Sequence, residues 1–435
     1  MEHHCLAAGA GHVIVLFSNG FNSVGTWNVE HHRSMNVPTQ VAGKGTQMPQ
    51  ILSPREILEI LVSFPTVSSE TNLPLIDWVE DYLAGHEVSA TRVYDDSGKK
   101  AALFAQIGPN VDGGVILSGH TDVVPVEGQE WSTDPFTVVE KDGRLYGRGT
   151  ADMKGFDALA LAAVPRALAA NLKRPLQIAL SYDEEIGCVG APRMIDRMTK
   201  DLPKAAAVIV GEPSRMKTVT GHKGSTGLRI HMRGYEVHSS TPHLGVSAVM
   251  EGARLIHWAN EENERIAGLP IRDEDRPFDP PYSTLHVGVI NGGTANNITA
   301  RDCHFGMSWR FVPGEDREQR FADFSAKVHE IETAMKSVRP EAGISVEPTY
   351  DVPPLIPETN GYAESLCRAL TGDNGNHVVS YGTEAGQFQQ AGYSAAVCGP
   401  GDIAQAHQAD EYIELSELEA GQAFLEGLIR RLEEE

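Results

Sequence analysis

The 435-residue chain is predicted to be an α/β protein: a mixed sheet covered by helices, with a smaller α+β domain inserted into it. Two observations carry this. Short apolar runs alternate with helical patterns over residues 53–214 and again after 353, as expected of a sheet buried on both faces. Between these stretches the order changes to strand, helix, strand, strand, helix, strand, which is the ferredoxin-like arrangement.

Taken in order, residues 1–47 carry His3, His4, His31 and His32 but no periodic pattern. Their one apolar run, Val13 to Phe17, is too short to cross a bilayer, and the layout of a secretory signal is missing. They are expected to be a poorly ordered extension, or to precede a start at Met48. Periodicity begins at Ser53 and Pro54, which open a helix through Ile57, Leu58, Ile60 and Leu61, followed by a second through Leu75, Ile76, Val79, Tyr82 and Leu83. Buried strands are predicted at 114–118, 176–181 and 206–210, with a small-residue helix over 156–168. The inserted elements are strand 227–232, helix 246–260, strands 284–290 and 301–311, helix 317–336 and strand 343–350. Pro353, Pro354 and Pro357 mark a crossing, after which helix 362–370, strand 395–398 and a helix from Ser416 resume the first style. The predicted division is therefore 48–214 and 353–435 for the larger domain and 215–352 for the insert.

With 41% hydrophobic residues the chain can bury a substantial core. Its net charge of -23 disfavours nucleic acid and anionic membrane surfaces, leaving a small solute as the expected partner. Cys5, Cys188, Cys303, Cys367 and Cys398 show no paired metal or redox spacing, which suits reduced thiols and a cytoplasmic location.

Acidic and histidine side chains cluster just after the apolar runs, where an α/β sheet gathers its ligand site. His120 and Asp122 follow the first; alternation sends both to one side, so that His120 can bind a metal while Asp122 holds it from behind. Alone, this pattern is more often a loop histidine beside a turn aspartate. Asp152 and Lys154 sit in a loop with Gly147, Gly149 and Gly155, where a carboxylate can bridge two cations; a plain turn has the same composition. Asp183, Glu184 and Glu185 follow the next strand, and their repulsion is relieved either by a cation or by solvent. Glu212 and His407 add further oxygen and nitrogen donors.

From Met48 to Glu435 these motifs resemble the two-zinc aminoacylase and carboxypeptidase group. Residues 181–190, 382–385 and 399–411 look most like the members that act on N-acetyl-L-ornithine. The resemblance implies a zinc-peptidase-like catalytic domain and an inserted lid that dimerises. It implies two Zn2+ per subunit, replaceable by Co2+: His120 and Glu212 on one, Glu185 and His407 on the other, Asp152 bridging. Three protein ligands per ion leave room for a shared water. Glu184 is the implied general base and Asp122 the group that orients His120.

The resemblance also implies substrate-binding residues. His238 would stabilise the developing oxyanion in a partner's site, and Asn297 would lie on a substrate-facing loop; Asn296 beside it departs from the group's usual apolar residue. Arg310 is placed to clamp an α-carboxylate or to form a surface ion pair. Thr383 and Glu384 would lie at the site entrance, Glu384 meeting the δ-amino group of ornithine, and Lys223 lines the cleft or flanks the hinge. The implied reaction is deacetylation of N-acetyl-L-ornithine, a step of arginine biosynthesis, by a cytoplasmic homodimer. A related deacylase, desuccinylase or dipeptidase is the first alternative, and an inactive binding or dimerisation protein the second.

Overall fold

The computed structural model describes residues 51–434. The expectations for residues 1–47 and their histidines lie outside that range. The described part opens on α1 (Pro54–Val62), whose start is fixed by a reciprocal cap: the Glu56 N–H donates to Ser53 Oγ, and the Glu56 carboxylate accepts from the Ser53 N–H at 2.8 Å. Next come α2 (Leu73–Gly85) and two strands the sequence pattern did not reveal, β1 (Ala90–Tyr94) and β2 (Ala101–Ile107). They flank β3 (Val115–His120), β6 (Leu176–Ser181) and β7 (Ala207–Pro213) in an eight-stranded sheet. Its order is β1-β2-β6-β3-β7-β14-β8-β13, with β8 at Val219–His222, β13 at His377–Val379 and β14 at Ala395–Gly399.

β6, β3, β7 and β14 run parallel, so their carboxyl ends lie at one edge. Alternation explains why these strands are apolar throughout. Val115 and Leu117 enter one core with α1, α2, α3 (Lys154–Ala162), α4 (Val164–Ala169), α8 (Tyr362–Thr371) and α10 (Leu415–Glu434). Ile116 and Ala179 face the other, with α5 (Ala191–Asp201) and α9 (Ala385–Gln390). The single helix expected over 156–168 is instead α3 and α4, broken next to Pro165, whose missing N–H cannot continue the ladder. A small sheet, β15-β5-β4 (Tyr412–Glu414, Arg144–Tyr146, Val139–Lys141), joins the glycine loop to the C-terminal region.

The second large sheet has the order β10-β11-β9-β12, from β9 (Gly224–Arg233), β10 (Thr284–Gly292), β11 (Asp302–Phe311) and β12 (Gly343–Val352). All its pairings are antiparallel, and α6 (Ala248–Ala267) and α7 (Arg317–Val338) supply the helices of the ferredoxin-like order. Ile230, Met232, Phe305, Met307 and Trp309 face α6 and α7 in one core. Cys188, Cys303, Cys367 and Cys398 are free and buried. Among the described residues no helix is long and apolar enough to cross a membrane.

Candidate metal centre

The site forms where the parallel strands end. β3 terminates on His120, β7 carries Glu212 just before Pro213, the loop after β6 carries Asp183 to Glu185, and the loop after β14 carries His407. The strands approach closely here: a Cβ on Gly399 would collide with the Gly211 carbonyl, and one on Gly211 with the Phe156 ring. Asp152, from the turn before α3, enters the middle of the group.

Asp152 has one carboxylate oxygen toward each histidine. Its Oδ1 is 3.1 Å from His120 Nε2, and its Oδ2 is 3.4 Å from His407 Nε2. Glu212 Oε1 lies 3.8 Å from His120 Nε2, and Glu185 Oε2 lies 2.9 Å from His407 Nε2. His120, Asp152 and Glu212 each offer a ligand atom within 4.8 Å of the others, as do Asp152, Glu185 and His407. Glu212 Oε1 is buried without a hydrogen-bond partner. A carboxylate oxygen left unpaired in the interior is costly unless a cation meets it, and His and carboxylate donors suit zinc or cobalt. The residues present therefore fit two divalent ions sharing Asp152.

Electrostatics give the same picture. Burial, with the Glu185 charge nearby, pushes Glu184 well above the usual carboxylate range even though His120 pulls it down. Burial together with the carboxylates of Asp152 and Glu184 raises Glu212 in the same way. Hydrogen bonds to Asp152 and Glu185 raise His407 to about 10.

The acidic run resolves into three separate tasks. Asp183, in a left-handed turn at φ 57°, forms an ion pair with Lys100. Glu184 borders the cleft, with the Cys188 thiol donating to its Oε1 at 3.1 Å. Glu185 turns to His407. Asp122 organises this loop: Oδ1 accepts from the Glu184 N–H at 3.1 Å, and Oδ2 from the Glu185 N–H at 3.3 Å and from Ser68 Oγ at 2.7 Å. Its contact with His120 runs chiefly through the backbone carbonyl, 2.9 Å from Nδ1, while the carboxylate stands 3.5 Å away. Either contact places the proton on Nδ1 and leaves Nε2 for a ligand.

The cleft has a volume of about 650 Å³, and Arg310, Tyr350, Tyr381 and His407 line it with the acidic group. Arg310 forms no ion pair among the described residues, so the surface pair left open by the sequence is not made. Thr383 and Glu384 require correction. Both are buried below the strand ends rather than at the entrance, and Glu384 accepts from Ser118 Oγ at 3.1 Å and from Ser181 Oγ. His238 and Asn297 lie beside each other, joined by the Ser239 N–H to the Asn297 carbonyl at 2.9 Å, and neither borders this chain's own cleft. Lys223 is buried and donates to the Pro280 and Tyr282 carbonyls at 2.6 and 2.8 Å, next to the start of β9.

Sequence reasoning passed over Glu411 and Arg148. They form a buried ion pair at 2.7 Å, and Glu411 Oε1 accepts from the N–H groups of Ala151 and Asp152 at 2.9 and 3.1 Å. The backbone that carries Asp152 is thus held from behind. Arg148 lies in the glycine loop and Glu411 in the segment 399–411, but their pairing spans 263 residues of chain.

Residues 116–431 match the profile described as Peptidase family M20/M25/M40. An acetylornithine deacetylase of Myxococcus xanthus is 35% identical over 385 residues, covering 85% of this chain and 95% of that protein. One of Proteus mirabilis is 34% identical over 383 residues, covering 86% and 95%. An M20 family metallo-carboxypeptidase from Sulfolobus solfataricus shares the fold at a TM-score of 0.68 and 19% identity, over 88% of this chain and 100% of that one. The chain belongs to the M20/M25/M40 peptidase family.

Proposed function

We propose that this member of the M20/M25/M40 family hydrolyses the acetyl amide of N-acetyl-L-ornithine, giving acetate and L-ornithine, with two zinc ions held by His120, Glu212, Asp152, Glu185 and His407. The observation that carries the reading is the sharing of Asp152 between two three-residue ligand groups beside the half-buried Glu184. Similarity to deacetylases over most of the chain supports the substrate.

When bound, the ions would lower the pKa of the attacking water and polarise the amide carbonyl. Glu184 then takes the water's proton and returns it to the departing amine, so that one C–N bond breaks as one C–O bond forms. Cys188 and the Asp122-anchored backbone hold Glu184 in place. Arg310 faces the cleft as the clamp for the substrate's α-carboxylate.

His238 is proposed to serve the partner subunit's cleft. The Ser240 N–H donates to its Nδ1 at 3.1 Å, so the neutral ring carries its proton on Nε2 and presents a donor suited to an oxyanion. Asn297, adjacent to it, would accompany it. A dimer is supported by the free edge of β10, where Val289 and Ile290 are exposed. On this view residues 215–352 form the dimerising lid, residues 48–214 and 353–435 the catalytic domain, and the enzyme works in the cytoplasm.

The test is a panel of N-acetyl-L-ornithine, N-succinyl-diaminopimelate and N-acetylmethionine. Preference for acetylornithine is expected. Preference for another acyl amino acid would leave the chemistry and overturn the substrate.

A further inference from the structure

We propose that His231, Asp302 and His304 form a separate metal site on the open face of the four-stranded sheet, taking one divalent ion of the zinc class. β9 and β11 pair so that His231 stands directly opposite His304, with Asp302 two residues before His304 on the same strand. Alternation puts all three on one face: their neighbours Ile230, Met232, Cys303 and Phe305 point into the core under α6 and α7.

The side chains converge. The two imidazoles stack with centroids 4.0 Å apart at 12°, and His231 Nε2 is 2.9 Å from Asp302 Oδ1. One ligand atom from each of the three residues lies within 4.8 Å of the others. Tetrahedral donors around zinc stand about 3.4 Å apart, given bonds of about 2.1 Å, so rotations of the exposed rings by about an ångström close the site. Asp302 is already oriented for this, because Arg301 Nε holds its Oδ2 at 2.8 Å and leaves Oδ1 facing the rings. An ion pair between His231 and Asp302 accounts for two of these groups but leaves the His304 nitrogens outside it, with only the ring stack on His231.

Two imidazoles and one carboxylate select zinc-class ions over calcium or magnesium, which prefer all-oxygen cages. The position is half exposed, so water can complete the coordination. No residue is shared with the group around Asp152. An ion here would clasp the two central strands of the sheet without entering the hydrolytic chemistry.

The test uses the full chain, loaded with zinc and cleared of excess by gel filtration, then titrated calorimetrically with further Zn2+. One additional equivalent per chain is expected, weakened at least tenfold in His304→Ala and in His231→Gln, with turnover of the best acyl amino acid unchanged in both. Two results would overturn the proposal. One is no additional equivalent; the other is an isotherm for His304→Ala that coincides with the parent's, which would place any extra zinc elsewhere on the chain.

Discussion

The two large sheets contribute to the cleft in opposite ways. In the eight-stranded sheet, parallel strands covered on both faces end together; His120, Asp152 and Glu212 are buried there, and the loops around them are held from behind by Asp122 and Glu411. In the antiparallel sheet one face is open, and its candidate residues stand apart: Arg310 reaches the cleft, whereas His238 and Asn297 do not border it. The parallel sheet gathers its candidate ligands at one edge, whereas the insert brings only some of its candidate residues to the cleft.

If that contrast holds, damage behind the buried site should cost stability as well as activity. Glu411→Ala leaves Arg148 buried without its partner and removes the acceptor for the Asp152 N–H. A loss of about 3–5 kcal/mol is expected in urea unfolding, together with reduced metal content. A loss below about 1 kcal/mol would mean that the pair is not buried as described.

Changes on the inserted sheet should leave stability alone. His238→Ala is expected to lower kcat about 10²–10³-fold with KM and unfolding midpoint nearly constant, as for loss of one oxyanion donor. Mixing it with Glu184→Gln, itself inactive, should restore part of the activity through hybrid dimers; no recovery would argue against action across subunits. Arg310→Ala should raise KM about ten- to a hundredfold with a smaller change in kcat, the signature of a substrate clamp.

A pH experiment separates the two regions more finely. Burial raises Asp157, beneath the site, to about 8, so the folded chain keeps a proton that the unfolded chain releases near pH 4. Stability should therefore fall as pH rises through that window, by at most about 1.4 kcal/mol per pH unit. Asp157→Asn cannot ionise and should flatten the decline, read as melting temperature between pH 5 and 8. An unchanged slope would remove Asp157 as its cause.

Much of the central group was legible because strand termini and motif positions coincide: His120, Asp152, Glu184, Glu185, Glu212 and His407 each follow an apolar run or a glycine turn. What was missed depends on contacts distant in sequence. Nothing near Arg148 announces Glu411, and nothing near Asp183 announces Lys100. Glu384 misled because a glycine-flanked segment has the composition of an exposed turn, while its real surroundings, the Ser118 and Ser181 hydroxyls, come from two other strands. The ferredoxin-like order was readable from its alternation of periods, but three-residue strands such as Val139–Lys141 are too short to show one.

The central claim is that Glu184 moves the proton while five other side chains hold the ions. The most direct measurement is turnover of N-acetyl-L-ornithine by zinc-loaded Glu184→Gln, with its metal content determined on the same sample. The account predicts two zinc ions per chain and a kcat lowered about 10²–10⁴-fold. Turnover within tenfold of the parent, with both ions bound, would contradict it.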